Sequence, residues 1–276
     1  VVNTVHGLYA TPASSLVKRA VVYGLEWLAA RFSDMELVQN PEDVDLLARL
    51  RIVPRRRLRL VGNGVDLTRF SPEAAASARD AKRTELGVSD HEVVVGMVGR
   101  LVAEKGVPEL LEAARRLGDR ATVVVVGPDD PDKPDALPRS IVSAAEAAGV
   151  RFLGMRDDVD QLYGAFDIFV LPSHREGFPR AAMEAAASGL PIVATDIRGC
   201  RQVVTDGRNG FLVPVRAPGA LAEALRRLTE DGDLRQRFGA ESAARAVAEF
   251  DERRVVERVM AAYREVADGK GLEWPG

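Results

Sequence analysis

Short runs of consecutive apolar residues alternate along this chain with longer stretches in which apolar residues recur every three or four positions. The runs at 1–5, 35–39, 58–61, 92–98, 121–126, 150–153, 167–171, 191–195 and 210–213 mostly lack the polar alternation of a half-solvated strand. They read as strands buried on both faces. The periodic stretches at 15–31, 42–50, 77–86, 107–117, 139–148, 158–165, 180–188, 199–205, 217–229, 233–249 and 251–267 read as helices. Asn40-Pro41 supplies a start signal and Gly87 a stop signal. Strand–helix alternation with Val/Ile-rich strands predicts parallel sheets covered on both sides, the α/β class. Asn63-Gly64-Val65-Asp66 reads as a turn, and Ser71-Pro72 restarts the pattern, so the domain junction is expected near 62–72. Residues 73–215 then form one doubly wound unit. Residues 1–61 hold too few strands to equal it and look like the second half of a similar domain.

Size and charge narrow this picture. A chain of 276 residues suits one and a half or two domains. Its net charge of −3 argues against nucleic acid as the main partner. A single cysteine, Cys200, excludes an internal disulfide, and no Cys/His cluster has zinc spacing, which makes a reducing cytoplasm the simplest home. No apolar stretch is long enough to span a bilayer, and Val1 to Val5 is too short for a signal peptide. The chain opens directly on a strand, so an N-terminal part is expected to be missing. The segment SLVKRAVVYGLEWLAARF mixes Lys18, Arg19 and Arg31 with Tyr23, Trp27 and aliphatic residues. It reads either as an interfacial helix making peripheral membrane contact, on the inner face of the cytoplasmic membrane, or as the commoner core-facing amphipathic helix.

The chemistry concentrates in LPSHREGFPRAAMEAAASGLPIVATD, residues 171–196. A buried strand ends at Pro172, a Gly-Phe-Pro turn follows, and an alanine-rich helix begins with Pro179 suited to its first position. Glu176 is then expected in the loop and Glu184 about a turn and a half inside the helix. The backbone N–H groups from Phe178 to Ala181 favour an anion. Two carboxylates beside an anion site suit a sugar held through its phosphates. The bland alternative is an ordinary helix start, where acids are common.

The whole string resembles the signature of the retaining glycosyltransferases of family 4: Glu-Gly-Phe, a second Glu eight positions on, and a small-Gly-x-Pro-(Val/Ile)-Val-Ala strand. The likeness runs over nearly all of residues 1–265. It implies the GT-B architecture, two Rossmann-like doubly wound parallel-sheet domains, of which the first is here incomplete. The implied limits are 1–68 for the acceptor-side domain and 69–250 for the nucleotide-sugar domain. A closing helix in 251–276 would pack back toward the first domain.

VVVGMVGRLVAEKGVPELLEA (93–113) resembles the family's strand, Gly-Arg-Leu and Lys-Gly motif. There Gly99 ends the strand, and Arg100 and Lys105 grip the donor diphosphate. Such fixed cations stabilise the charge that develops on the leaving group, so no metal or other cofactor is expected. The resemblance places Gly127 near the nucleotide and Met155 and Arg156 beside the base. It gives Glu184 the ribose hydroxyls and Glu176 the transferred sugar. Gly177, Phe178, Pro179, Arg180 and Ala181 form the turn between these two acids, with Phe-Pro-Arg standing where Phe-Gly-Leu-Pro is commoner. TVHGLYA (4–10) resembles the first-domain segment whose histidine reaches the donor sugar, which makes His6 a candidate; a structural role is the alternative. Asp158 reads as a helix cap, His174 as a loop histidine beside the sugar site, and Cys200 as a small buried residue.

RGCRQVVTDGRNGFLVP (198–214), with Gln202 in place of the familiar acid, is close to members that build bacterial surface polysaccharides. The implied reaction is transfer of a hexose or N-acetylhexosamine from a nucleotide sugar, a UDP-sugar first, to a saccharide or polyprenyl-diphosphate-linked acceptor. The rival from another class is a non-catalytic nucleotide-sugar-binding module. A GT-B epimerase or a phosphorylase fits less well, because the former has different motifs around its glutamates and the latter needs a cofactor lysine in another context.

Overall fold

The computed structural model describes residues 1–8 and 15–273, and it divides into two compact units, Val1–Gly64 with Phe250–Gly276, and Val65–Glu249. Tyr9 and Ala10 of the TVHGLYA segment, and the end of the 251–276 segment from residue 274, lie outside the described residues.

In the first unit, β1 (Val2–Val5), α1 (Leu16–Phe32), β2 (Met35–Val38), α2 (Pro41–Arg49) and β3 (Leu58–Leu60) follow one another, and the strands form a parallel sheet in the order β1-β2-β3. Period-two alternation in β2 splits its side chains between the two faces. Val38 joins Val5, Val44, Leu47 and Leu58 under α2, while Met35 and Leu37 join Val61 on the opposite face.

The second unit carries α3 (Pro72–Leu86), β4 (Val94–Val98), α4 (Val107–Leu117), β5 (Thr122–Val126), α5 (Arg139–Ala147), β6 (Arg151–Phe152), α6 (Val159–Ala165) and β7 (Ile168–Leu171). It continues through α7 (Arg180–Ala187), β8 (Ile192–Thr195), α8 (Arg198–Arg201), β9 (Gly210–Val213), α9 (Pro218–Glu230) and α10 (Gly232–Glu249). Then α11 (Glu252–Gly269) returns to the first unit, where Ala262 covers Met35 and Leu37 and Glu265 pairs with Arg59.

All strands of the second unit are parallel, in the order β6-β5-β4-β7-β8-β9. Counted within the unit this is 3-2-1-4-5-6, the doubly wound order. Val95, Met97, Val123, Val125, Ile168, Val170 and Val193 meet Leu110 of α4 and Leu221, Leu225 and Leu228 of α9. On the other side α3 packs with α6 and α7 with α10, and Tyr163 of α6 stands against Phe169 of β7. The strand order reverses between β4 and β7, and ligands of open α/β sheets bind beyond the carboxyl ends of the strands at such a reversal.

The α/β alternation predicted from the sequence is observed, with local differences. α3 begins at Pro72, not near residue 77, because Ser71 Oγ accepts from Ala74 N at 3.1 Å and Pro72 occupies the first turn. The helix expected over 199–205 stops at Arg201. Asn209 ends it by accepting from Thr205 N at 2.7 Å and donating to Val203 O at 3.0 Å, which turns the backbone. β6 is confined to two residues.

Candidate active site

Two loops flank the reversal. One leaves β4 through Gly99 and Arg100, makes a single tight turn at Ala103–Lys105 and enters α4 after Gly106. The other leaves β7 through Pro172 and Ser173 and enters α7. They touch backbone to backbone: Gly106 has φ 74°, and a Cβ there would stand 2.0 Å from Pro172 O. His174 N donates to Glu104 O at 2.8 Å, Arg175 pairs with the Glu104 carboxylate at 3.0 Å, and His174 Nε2 lies 2.8 Å from Glu109 Oε1.

This clasp sets Lys105 against Glu176, Nζ to Oε1, at 2.6 Å. The lysine side chain is 22% exposed and the carboxylate 12%, so solvent screens the pair far less than a surface ion pair. Ser173 Oγ donates to the same carboxylate oxygen at 2.8 Å, and Ser173 is itself fixed where its carbonyl accepts from Thr195 Oγ1 at 2.5 Å. Behind the loop lies Gly199, where a Cβ would stand 2.5 Å from Glu176 O. Only glycine lets α8 approach that closely. Cys200 is buried beside it, and burial pushes its thiol up to about 12, which leaves it protonated and inert.

Glu184 sits in the second turn of α7, 13% exposed. Tyr163 Oη donates to it at 3.1 Å and Arg180 Nε at 3.1 Å. Burial raises its carboxyl above the ordinary range, and the two donors oppose that shift. The Tyr163 hydroxyl, fully buried and beside this carboxylate, is raised well above its usual value and stays a donor. Pro179 is at the helix cap, with ψ 108°, and not at the first helical position as expected from the sequence; Arg180 opens the helix. Phe178 and Gly177 stand half-buried in the turn, Pro179 is buried, and Ala181 O lies 3.0 Å from the Tyr163 hydroxyl.

The remaining candidates are spread around this centre. Gly99 and Gly127 meet at the ends of β4 and β5: Gly99 N donates to Val126 O at 2.8 Å, and a Cβ on Gly127 would stand 2.0 Å from Gly99 O. Gly127 N in turn donates to Gly154 O at 2.8 Å. Arg100 pairs with Asp130 at 3.0 Å. Met155 is 75% exposed. Arg156 is held by Asp158 and Glu85, each at 2.7 Å. Asp158 occupies the cap position of α6, but its carboxylate makes no capping bond and goes instead to Arg156 and Lys82. His6 belongs to the other unit, where it is exposed after β1 and borders a cavity of about 360 Å³ with Asn3 and Glu26.

The sequence reading gave no site role to Ser173, Tyr163, Gly106 or Gly199. A hydroxyl three residues before Glu176 was the available signal for the first; the others are contacts between distant segments. A groove of about 850 Å³ between α4 and α5 lies at the amino end of β5, the opposite end of the sheet from Glu176. Among the described residues no cluster of three or more His, Cys, Asp or Glu side chains is placed to hold a metal ion.

Residues 78–245, more than half of the chain, match the family model described as glycosyl transferases group 1. The chain is 30% identical over 248 residues to the N,N'-diacetylbacillosaminyl-diphospho-undecaprenol alpha-1,3-N-acetylgalactosaminyltransferase of Campylobacter jejuni, covering 90% of this chain and 65% of that protein. It is 35% identical over 263 residues to a D-inositol 3-phosphate glycosyltransferase of Geodermatophilus obscurus, covering 91% of this chain and 56% of the relative. The chain thus spans between about half and two thirds of the length of these relatives. Among solved structures, it superimposes on a sucrose-phosphate synthase of Thermosynechococcus elongatus with a TM-score of 0.83 at 26% identity, over 97% of this chain and 68% of that one. Anabaena HepE in complex with UDP and glucose matches with a TM-score of 0.76 at 25% identity, over 96% of this chain and 71% of that one. The chain therefore belongs to the group 1 glycosyl transferases, with their parallel α/β fold of the GT-B class.

Proposed function

We propose that this chain is the donor-binding and catalytic part of a retaining, metal-independent glycosyltransferase acting in the cytoplasm. It would move a hexose or N-acetylhexosamine from a UDP-sugar to a saccharide or polyprenyl-diphosphate-linked saccharide during cell-surface polysaccharide synthesis. The observation that carries this reading is the Lys105–Glu176–Ser173 cluster at the strand-order reversal, in the loop that leads to Glu184. The Campylobacter jejuni relative is named for an undecaprenol-diphosphate-linked sugar, and HepE was solved with UDP and glucose; both support the substrate classes.

On this reading Glu184 holds the ribose and Glu176 the transferred sugar. Lys105, Arg100 and the first turn of α7 stabilise the charge that develops on the leaving diphosphate, a kind of term whose loss costs about 10²–10³ in rate. The departing phosphate helps deprotonate the acceptor on the same face, so neither glutamate acts as the nucleophile of a glycosidase pair. The first unit belongs to the acceptor side, and His6 is its candidate for the transferred sugar.

The test is a thermal-shift and calorimetric screen against UDP, GDP, ADP and their sugars without added metal. Stabilisation by uridine nucleotides, lost in Glu184→Ala, is expected. Glu176→Ala should keep nucleotide binding and lose turnover, read as donor hydrolysis without acceptor. Binding without any hydrolysis identifies a non-catalytic binding module, and no response from the folded chain rejects the donor site.

A further inference from the structure

Three side-chain links tie the loop that carries Glu176 to the 103–110 segment: His174 to Glu109, Arg175 to Glu104 and Glu176 to Lys105. They differ in what they can do. The Glu176–Lys105 pair faces the substrates on the transferase reading, on which this inference rests, so it shares its groups with them. The Arg175–Glu104 pair is 40% and 42% exposed and is screened by water. The His174 and Glu109 side chains are only 16% and 14% exposed, with Nε2 standing 2.8 Å from Oε1. That link alone is both shielded from solvent and free of substrate.

Its strength turns on one proton. Glu109 Oε2 is buried without a hydrogen-bond partner among the described residues, so the imidazole is the one side chain bonded to this carboxylate. A bond from an imidazolium to a carboxylate is charge-assisted and about twice as strong as one from a neutral ring. Of the side-chain types in this clasp, imidazole is the one that changes charge near neutral pH. The charged groups around it are Glu109 of α4, Glu104 and Lys105 on the turn before α4, and Arg175 and Glu176 on its own loop. Arg216, after β9, lines a small gap together with Glu109, Pro172 and Thr195.

We propose that His174 is a positioning residue. In its imidazolium form it clamps the Glu176 loop onto α4; loss of the proton slackens the loop and slows transfer without loosening the nucleotide. The nucleotide is spared because Glu184 is held by Tyr163 and Arg180, and the Gly99 and Gly127 turns by strand-end hydrogen bonds, none of which passes through His174.

Hydrolysis of UDP-glucose and of UDP-N-acetylglucosamine by the full chain, followed from pH 6 to pH 8.5 beside calorimetric UDP titrations, tests it. Wild-type kcat should fall about fivefold over that range, the difference between a charged and a neutral hydrogen bond, while KM and UDP affinity stay level. His174→Gln and Glu109→Gln should each hold kcat at the wild type's alkaline level at every pH. The double variant should be no slower than either, because the two groups act through one bond. His91→Gln, on an exposed loop, should keep the wild-type profile. Circular dichroism and the melting temperature check that the variants stay folded. A fall that persists in His174→Gln, or one shared by KM and UDP affinity, overturns the inference. Stability supplies a readout that needs no turnover. The coupling between Lys105 and Glu176, taken from the urea midpoints of the two single variants and the double, should drop by half or more from pH 6 to pH 8.5. It should lose that pH dependence in a His174→Gln background. A coupling that ignores pH overturns the positioning role whether or not donor is turned over. Absent hydrolysis with a pH-dependent coupling instead rejects the transferase reading and upholds the clamp.

Discussion

The Lys105–Glu176 pair is the sharpest test of the candidate site, because one measurement bears on its energetics and another on its chemistry. At 2.6 Å, and at an effective dielectric constant near 20, the two charges attract by about 6 kcal/mol. Removing both from water costs several kcal/mol, so the net coupling expected is about 1–3 kcal/mol. Lys105→Met leaves the carboxylate, 12% exposed, with Ser173 as its remaining side-chain donor and should destabilise by about 2–4 kcal/mol. Glu176→Gln should cost less, about 1–2 kcal/mol, since the longer lysine can turn to water. The double variant should fall short of the sum. Both tryptophans, Trp27 and Trp274, lie outside Val65–Glu249, so fluorescence does not report this unit. Urea unfolding followed by far-ultraviolet circular dichroism does, with stability read from the midpoint at constant m. A coupling below about 0.5 kcal/mol refutes the argument: the charges are then solvated and their meeting is incidental. In donor hydrolysis Lys105→Met should lower kcat by about 10²–10³.

Three further outcomes follow from the surroundings of the pair. Burial raises the Glu184 carboxyl, so the folded state holds its proton more tightly than the unfolded chain; its contribution is full below about pH 4.5 and is lost as pH rises through the raised value. Glu184→Gln should therefore raise the melting temperature at pH 7 relative to pH 4 while weakening UDP binding, and an unchanged difference across that range counts against the burial argument. Tyr163→Phe removes a buried donor to this carboxylate and should cost about 1.5–3 kcal/mol together with UDP affinity, both read by calorimetry. Gly199→Ala pushes a methyl toward Glu176 O and should cost about 1–3 kcal/mol, lowering turnover more than UDP affinity in paired kinetic and binding titrations.

The fold was largely legible because its central strands are buried on both faces. β4, β5, β7 and β8 read Val-Val-Gly-Met-Val, Thr-Val-Val-Val-Val, Ile-Phe-Val-Leu and Ile-Val-Ala-Thr, with hardly a polar residue among them. The misread ends trace to side chains that local periodicity does not weigh. Val203 and Val204 continue a helical spacing past Arg201, but Asn209 takes the backbone groups that would have extended the helix. α3 starts early, at the Ser71 cap, and its first turns are alanine, which gives no large apolar residue to mark the period. Ala75 packs there against Gly164 of α6, where no Cβ intervenes. A large apolar residue would have been needed to signal that contact in the sequence.

The site divides along the same line. Glu176 and Glu184 lie eight residues apart on one turn and helix, so their neighbourhood follows from local sequence alone. Lys105 stands 71 residues from Glu176, and nothing local says that they meet. That meeting depends on two absences. A methyl at Gly106 would collide with Pro172 O, and one at Gly199 with Glu176 O; either would move the Glu176 loop away from the loop that carries Lys105. Arg100 and Arg156, expected from the sequence as donor contacts, are paired in the structure with Asp130 and with Asp158 and Glu85. A diphosphate or base must compete with those acids for them. It meets no such acid at the backbone turns of Gly99 and Gly127, which are fixed by strand-end hydrogen bonds. The rigid part of the candidate donor site is thus its glycine-lined backbone and the Lys105–Glu176–Ser173 cluster, while its arginines are exchangeable. Substitutions in the rigid part should change turnover and stability together; those at Arg100 should lower donor affinity and turnover, and those at Arg156 donor affinity, with stability little changed.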